Sequence, residues 1–203
     1  GVRSGRGRGS KMALFQPMFT VEFEGLTSSK MSMHRLKDAV PGMVLQSTPF
    51  DVRKSTMALF MAEVLYRLIR DNEMVHDLFD FVWGSILALD ALDEGIANFH
   101  LWFLPNLSRP LGFSPVNDYT DGAWLDMRDG HFTPHALIPS MALTPENARI
   151  LHDMLECDVR YLAEIGLNRT ERVEFLDAML KYYAYHLESI KAVESIRILR
   201  EVF

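Results

Sequence analysis

Residues 54–70 read KSTMALFMAEVLYRLIR, a stretch in which Thr56, Glu63, Arg67 and Arg70 fall on one helical stripe and nearly everything else is apolar. Polar positions recurring at helical spacing predict a helix that is buried on most of its sides. Glu63 stands four residues before Arg67, the orientation in which an ion pair supports a helix. Downstream, Leu78 to Leu92 is more apolar still, with Phe79, Phe81, Val82, Trp83, Ile86, Leu87 and Leu89, and reads as a central helix. Ile96 to Leu104 continues in that style until Pro105, which breaks or kinks it. The proline-rich segment Gly112 to Pro145, with turns at Asp121-Gly122 and Asp129-Gly130, reads as irregular apart from a short hairpin around Trp124 to Phe132. Thr144-Pro145-Glu146 then has the form of a cap followed by proline at the first helical position. Val173, Leu176, Leu180, Tyr183 and Leu187 make one apolar seam on a last long helix, and Ile196, Leu199 and Phe203 lie on a short closing one. The expected body, residues 39–203, is therefore all-α.

The chain ahead of that body is different. Residues 1–11 read GVRSGRGRGSK and carry Arg3, Arg6, Arg8 and Lys11 with no acid. Arginine interleaved with glycine suits a loop that follows a phosphate backbone, because each guanidinium offers a planar fork of donors. Phe19, Val21 and Phe23 then alternate with Thr20, Glu22 and Glu24, a period-two strand with one apolar face. Gly25 to Lys30 is a polar turn, and Met31 and Met33 alternate with Ser32 and His34, so a hairpin is expected before the connection Ala39 to Arg53. Residues 1–40 hold seven Lys and Arg against three acids, a net of +4; the remainder holds fourteen against twenty-four, a net of −10. Nucleic acid is expected to meet the first part and to be repelled by much of the second.

Composition bounds the function further. At 203 residues and 48% hydrophobic, the chain can bury a real core. No apolar run reaches the roughly 18–20 residues that span a bilayer, and no signal-peptide pattern is present. The one cysteine, Cys157, suggests a reducing compartment, with cytoplasm as the default location. Glu156 and Asp158 flank it and would raise its pKa, the opposite of a reactive thiolate. No P-loop, G-x-S-x-G, His-Glu-x-x-His or dinucleotide turn occurs, so no enzymatic turnover is expected. Asp90, Asp93 and Glu94 read as a solvated face or a cap for the next helix. His131 and His135, near Asp126 and Asp129, share a face only on a helix, which Thr133-Pro134 opposes; they read as surface turn residues, and no metal or other cofactor is expected. His186 reads as a packed or hydrogen-bonded histidine beside the seam.

Four groups of residues carry a resemblance to a known family. They are Gly1-Val2-Arg3 with Ser10-Lys11, Leu14 and Pro17; Ala58 to Leu65; Asn98 to Leu104 continuing through Leu111-Gly112-Phe113; and Tyr182-Tyr183-Ala184-Tyr185-His186-Leu187 with Ser195 and Leu199. In their order and spacing the chain resembles the bacterial DNA-repair family RecO over essentially its whole length. The resemblance implies an α+β, mostly α fold: residues 1–38 as part of an N-terminal OB-fold and residues 39–203 as a helical domain. The family's barrel begins before Gly1, so the expectation is a chain lacking its first strands. Many members carry a four-cysteine zinc site after the Leu-Gly-Phe helix; Phe113 to Thr144 has no cysteine, and zinc does not carry over.

What the resemblance implies about activity is a recombinational-repair mediator that binds single- and double-stranded DNA and anneals complementary strands. With RecR, such proteins help load RecA onto DNA coated by single-strand-binding protein, whose acidic, hydrophobic C-terminal tail they receive in the helical body. The expected DNA surface is Arg3, Arg6, Arg8 and Lys11, with Arg35 and Lys37 as further members. Phe15 and Phe19 are candidates for base stacking, with barrel core as the other reading, and Arg67 and Arg70 are candidate cations for the tail. The alternative function is a helical protein-interaction adaptor whose basic loop is incidental.

Overall fold

The computed structural model describes residues 14–26, 35–69, 76–187 and 193–203. Two strands come first, β1 (Val21–Leu26) and β2 (Arg35–Pro41), paired antiparallel. The register shifts between Glu22 and Glu24, and Asp38 on the opposite strand takes a left-handed backbone (φ 52°), the signature of a bulge. β2 thus runs on into Ala39, Val40 and Pro41, which the sequence placed in the connection: local alternation stops there, but pairing to β1 does not. Met31 and Met33 lie outside the described residues. The alternating face of β1 is half-buried at Phe19 and Val21 and exposed at Phe23.

Among the described residues six α-helices form the body: α1 (Val52–Ile69), α2 (His76–Ala91), α3 (Phe99–Leu107), α4 (Pro145–Glu156), α5 (Arg169–His186) and α6 (Ile196–Val202). The centre is α3, packed against α1, α2, α4 and α5 and buried at Phe99, His100, Leu101, Phe103, Leu104, Pro105 and Leu107. A helix apolar on every side has to be surrounded. α2, expected at the centre, instead covers one side of α3 and leaves Phe79 and Trp83 exposed at 52% and 37%, stacked on each other. Pro105 does not end α3, which closes two residues later at Leu107; the missing N–H costs the Leu101 carbonyl its helical donor.

The irregular segment contains the expected hairpin, β3 (Trp124–Asp126) with β4 (Phe132–Thr133), and adds β5 (Ala142–Leu143) on the other edge of β3. The body is accordingly helical with a three-stranded patch. Thr144 caps α4 with Pro145 at its first position, and Asn168 caps α5 through a reciprocal pair with Glu171. On α5 the buried side chains are Phe175, Leu176, Met179, Tyr182 and Tyr183; of the expected seam Leu176 and Tyr183 are buried and Val173, Leu180 and Leu187 only half-buried, so the core face is turned by about one residue. Tyr183 Oη donates to the Leu104 carbonyl at 2.7 Å, tying α5 to the last turn of α3. His186 is packed as expected, stacked on Phe113 and 2.8 Å from the Met127 carbonyl.

One glycine is required by close approach. Gly95 has φ 71°, and a Cβ there would meet the Ala163 nitrogen at 2.5 Å. This contact lets Asn98 donate to the carbonyls of Leu162 and Ile165 at 3.0 and 2.8 Å. Gly95→Ala is expected to lower stability by at least the roughly 1–3 kcal/mol of a left-handed non-glycine residue, measured as a lower midpoint in urea at unchanged slope.

Candidate functional site

Of the six expected DNA-contacting residues, Arg3, Arg6, Arg8 and Lys11 lie outside the described residues. Arg35 opens β2 opposite Leu26. Lys37 pairs across the hairpin with Glu24, and its Nζ is 3.9 Å from the Glu24 carboxylate and 3.4 Å from that of Asp38. All three side chains are exposed, so these contacts are weak, salt-screened and easily exchanged for a phosphate. Phe15 is exposed and Phe19 half-buried.

Arg67 is not a free cation. Its guanidinium donates to Glu63 at 2.7 and 3.1 Å, and the same carboxylate accepts the amides of Glu194 and Ser195 at 2.8 and 2.7 Å. This joint fastens the start of α6 to α1. Arg70 lies outside the described residues. The expected turn role of His131 holds: its Nδ1 is 2.8 Å from Asp118, which also accepts the Phe132 amide at 3.0 Å. The neighbouring carboxylate raises the His131 pKa, while Asp126 is held by Arg128 at 2.6 Å. Burial, then the charges of Asp158, Glu164 and Asp153, push the Cys157 thiol up.

The body also contains a cationic cleft that the sequence did not reveal. It is lined by His100, Arg169, Arg172, Leu176, Leu199, Arg200 and Phe203, among others. α3 supplies the histidine at its floor, α5 two arginines from its first turn, and α6 the third arginine and the phenylalanine. His100 is 3% exposed, edge-on to Phe60 and stacked with Phe203. Burial and the Arg172 charge push its pKa down to about 3, so the ring is neutral at neutral pH. Both His100 Nδ1 and Arg172 Nε are buried without a hydrogen-bond partner. Arg200 is paired with Asp177, leaving three guanidiniums with one carboxylate partner between them. The cleft is open to one side, and its inner space of about 10 Å³ has room for one water-sized group such as a carboxylate oxygen. Chemically, the cleft suits an anion carried on an apolar residue. His100 lies about 70 to 100 residues from the other members, which sit on and just past two later helices, and no sequence spacing joins it to them.

Comparison with known proteins follows the same lines. A family model described as Recombination protein O C terminal matches residues 49–122. The DNA repair protein RecO of Bacteroides fragilis is 37% identical over 195 residues, covering 95% of this chain and 81% of the relative. The protein of the same name from Phocaeicola vulgatus is 33% identical over 194 residues, covering 95% and 80%. That of Christiangramia forsetii is 33% identical over 203 residues, covering 100% and 84%. No solved structure matches the chain. Among the described residues no helix is long and apolar enough to cross a membrane.

The Glu63 joint has a pH signature. Burial opposes ionisation there, but hydrogen bonds from Ser195, the Glu194 amide and Arg67 hold the carboxyl at about 2, below its ordinary 4.5. A depressed folded-state value contributes stability above the unfolded value and loses it as pH falls from 4.5 towards 2. Glu63→Gln is expected to destabilise the protein at neutral pH by on the order of 2 kcal/mol. The gap between variant and parent in urea denaturation should narrow across that acid window.

Proposed function

This chain belongs to the RecO family of DNA repair proteins, and we propose that it acts as a DNA-binding recombination mediator. In this reading it anneals complementary single strands and, with RecR, helps load RecA onto DNA coated by single-strand-binding protein. The observation that carries it is the separation of charge: a net of +4 over residues 1–40 on a remainder of −10.

The DNA surface of this proposal is Arg3, Arg6, Arg8, Lys11, Arg35 and Lys37, on an N-terminal element, residues 1–38, assigned to an OB-fold. Cations there neutralise phosphates on two strands and let them approach, while base pairing supplies the specificity. Annealing by this route needs no nucleotide hydrolysis and no cofactor. The acidic body keeps the bound strands at that end by repulsion. For the tail of single-strand-binding protein, acidic and hydrophobic, the cleft of His100, Arg169, Arg172 and Arg200 is the proposed receptor, because Arg172 Nε is buried there without an acceptor beside an apolar lining of Leu176, Leu199 and Phe203. The exposed Phe79–Trp83 pair favours a second reading, in which the helical body is an adaptor and the basic loop is incidental.

Salt dependence separates the two. Four loop cations on single-stranded phosphates give a log–log slope of affinity on salt of about −3, from roughly −0.7 per contact. Alanine at Arg3, Arg6, Arg8 and Lys11 should remove that share and flatten the slope in a fluorescence-anisotropy titration, leaving the contribution of Arg35 and Lys37; an unchanged slope contradicts the DNA assignment and leaves the adaptor. For the cleft, glutamine at Arg169 and Arg172 should weaken an acidic peptide with a free C-terminal carboxylate about tenfold or more, with the DNA slope unaltered.

A further inference from the structure

The cleft over His100 is already filled, and by the chain itself. Its inner space of about 10 Å³ takes one water-sized group, against the roughly 300–1,000 Å³ of a pocket that buries a small-molecule-sized guest. What fills the rest is the end of α6. Leu199 is 1% exposed, and the half-buried Phe203 ring lies on the His100 imidazole, with centroids 6.3 Å and planes 29° apart. On the same turn the Arg200 carbonyl accepts from Arg169 Nη2 at 2.5 Å. An apolar ring on the imidazole and an oxygen on a guanidinium are the two groups that an acidic, apolar segment would bring here.

The end of α6 is held more weakly than its start. At the start, the Glu63 carboxylate accepts the amides of Glu194 and Ser195 and is itself fixed by Arg67. Leu199 then packs into the core. Past Leu199 the polar ties are the Arg169–Arg200 bond and the Arg200–Asp177 ion pair, whose side chains are both exposed. Such ties are weak and screened by salt. Seven residues are too few for a helix to hold itself in water, so the last turn stays only while its contacts do.

Charge decides which occupant wins. A carboxylate on Arg169 adds a Coulombic attraction that the neutral Arg200 carbonyl lacks. Arg172 Nε is buried with no acceptor while α6 fills the cleft, and a buried donor left unpaired is costly. An incoming carboxylate satisfies it; the present occupant does not.

We propose that the last turn of α6, Arg200 to Phe203, is a self-inhibiting strap. It stands in for a partner's segment and swings out, hinged at Leu199 and the Glu63 joint, when an acidic segment with an apolar side chain enters. The guest's carboxylate then takes Arg169 and Arg172, and its apolar side chain replaces Phe203 on His100. The proposal rests on the reading of the cleft as a receptor for an acidic tail and adds how that receptor opens. Because only the open form binds, the closed strap lowers the apparent affinity by the fraction of molecules that are closed.

The test uses the full chain and a fluorescein-labelled peptide, three aspartates followed by a phenylalanine with a free carboxylate, titrated by anisotropy. Phe203→Ala should tighten binding by about 2- to 10-fold, since no ring has to be displaced; a ring that merely lined the receptor gives the opposite sign. In the parent, adding peptide should speed hydrogen exchange at the amides of residues 200–203, among them that of Phe203, which donates to the Leu199 carbonyl at 3.0 Å. Weaker or unchanged binding by Phe203→Ala, with exchange at 200–203 slowed or unchanged, overturns the strap and leaves the receptor standing. No binding of the peptide by either the parent or Phe203→Ala overturns both.

Discussion

The carboxylate of Asp90 holds the two parts of the molecule in register. It sits in the last turn of α2 and accepts the amides of Gln46, Ser47 and Thr48 at 2.7, 2.9 and 2.7 Å. Lys54, in the first turn of α1 and 3% exposed, donates to the Asp90 carbonyl at 2.8 Å and to Ser47 Oγ at 2.6 Å. A carboxylate at a helix C-terminus opposes the helix dipole. Here, despite the cost of burial, the converging amides hold it well below the ordinary carboxylate range, and the lysine meets the helix end where a cation is favoured. This one cluster fixes the segment from Gln46 to Phe50 to the start of α1 and the end of α2.

Local signals were legible in the sequence because their causes are local. The Glu63–Arg67 pair, the Thr144-Pro145 cap and the Trp124–Phe132 hairpin each depend on residues within a few positions of one another, whereas the expected polar stripe of α1 is not its exposed face, which carries Val52, Tyr66 and Ile69 while Thr56 is buried. Asp90 reads in the sequence as a solvated face or a cap for the next helix and is neither: the amides it accepts lie 42 to 44 residues upstream. Nothing in the sequence marks Lys54 as buried, and the converging Ser47 and Asp90 oxygens make its burial tolerable. α2 and α3 are similarly apolar in sequence, and which is central follows from what surrounds them. The His100–Arg172 cleft requires α3, α5 and α6 to meet, a fact of topology that no spacing encodes.

Seen as electrostatics, the chain separates two kinds of recognition. The N-terminal element concentrates cations in sequence on an element that buries little of its apolar surface, a combination suited to flexible polyanions with stacking faces. In the body, the cleft instead fixes a few arginines over a buried, neutral imidazole, a combination suited to a single anionic end group on an apolar side chain. The two lie on different elements and share no residue, so DNA and a peptide tail could be held together without competing. For a mediator that must act on a strand already occupied by another protein, that separation is the functional core of the proposal.

Hydrogen–deuterium exchange on the full chain, with and without a single-stranded oligonucleotide, tests that separation most directly. The account predicts slowed exchange in the amides of residues 14–26 and 35–50, with no change across α4 and the first turn of α5. Protection of α4 and α5, with the hairpin and its connection unchanged, would place the nucleic acid on the acidic body and contradict it.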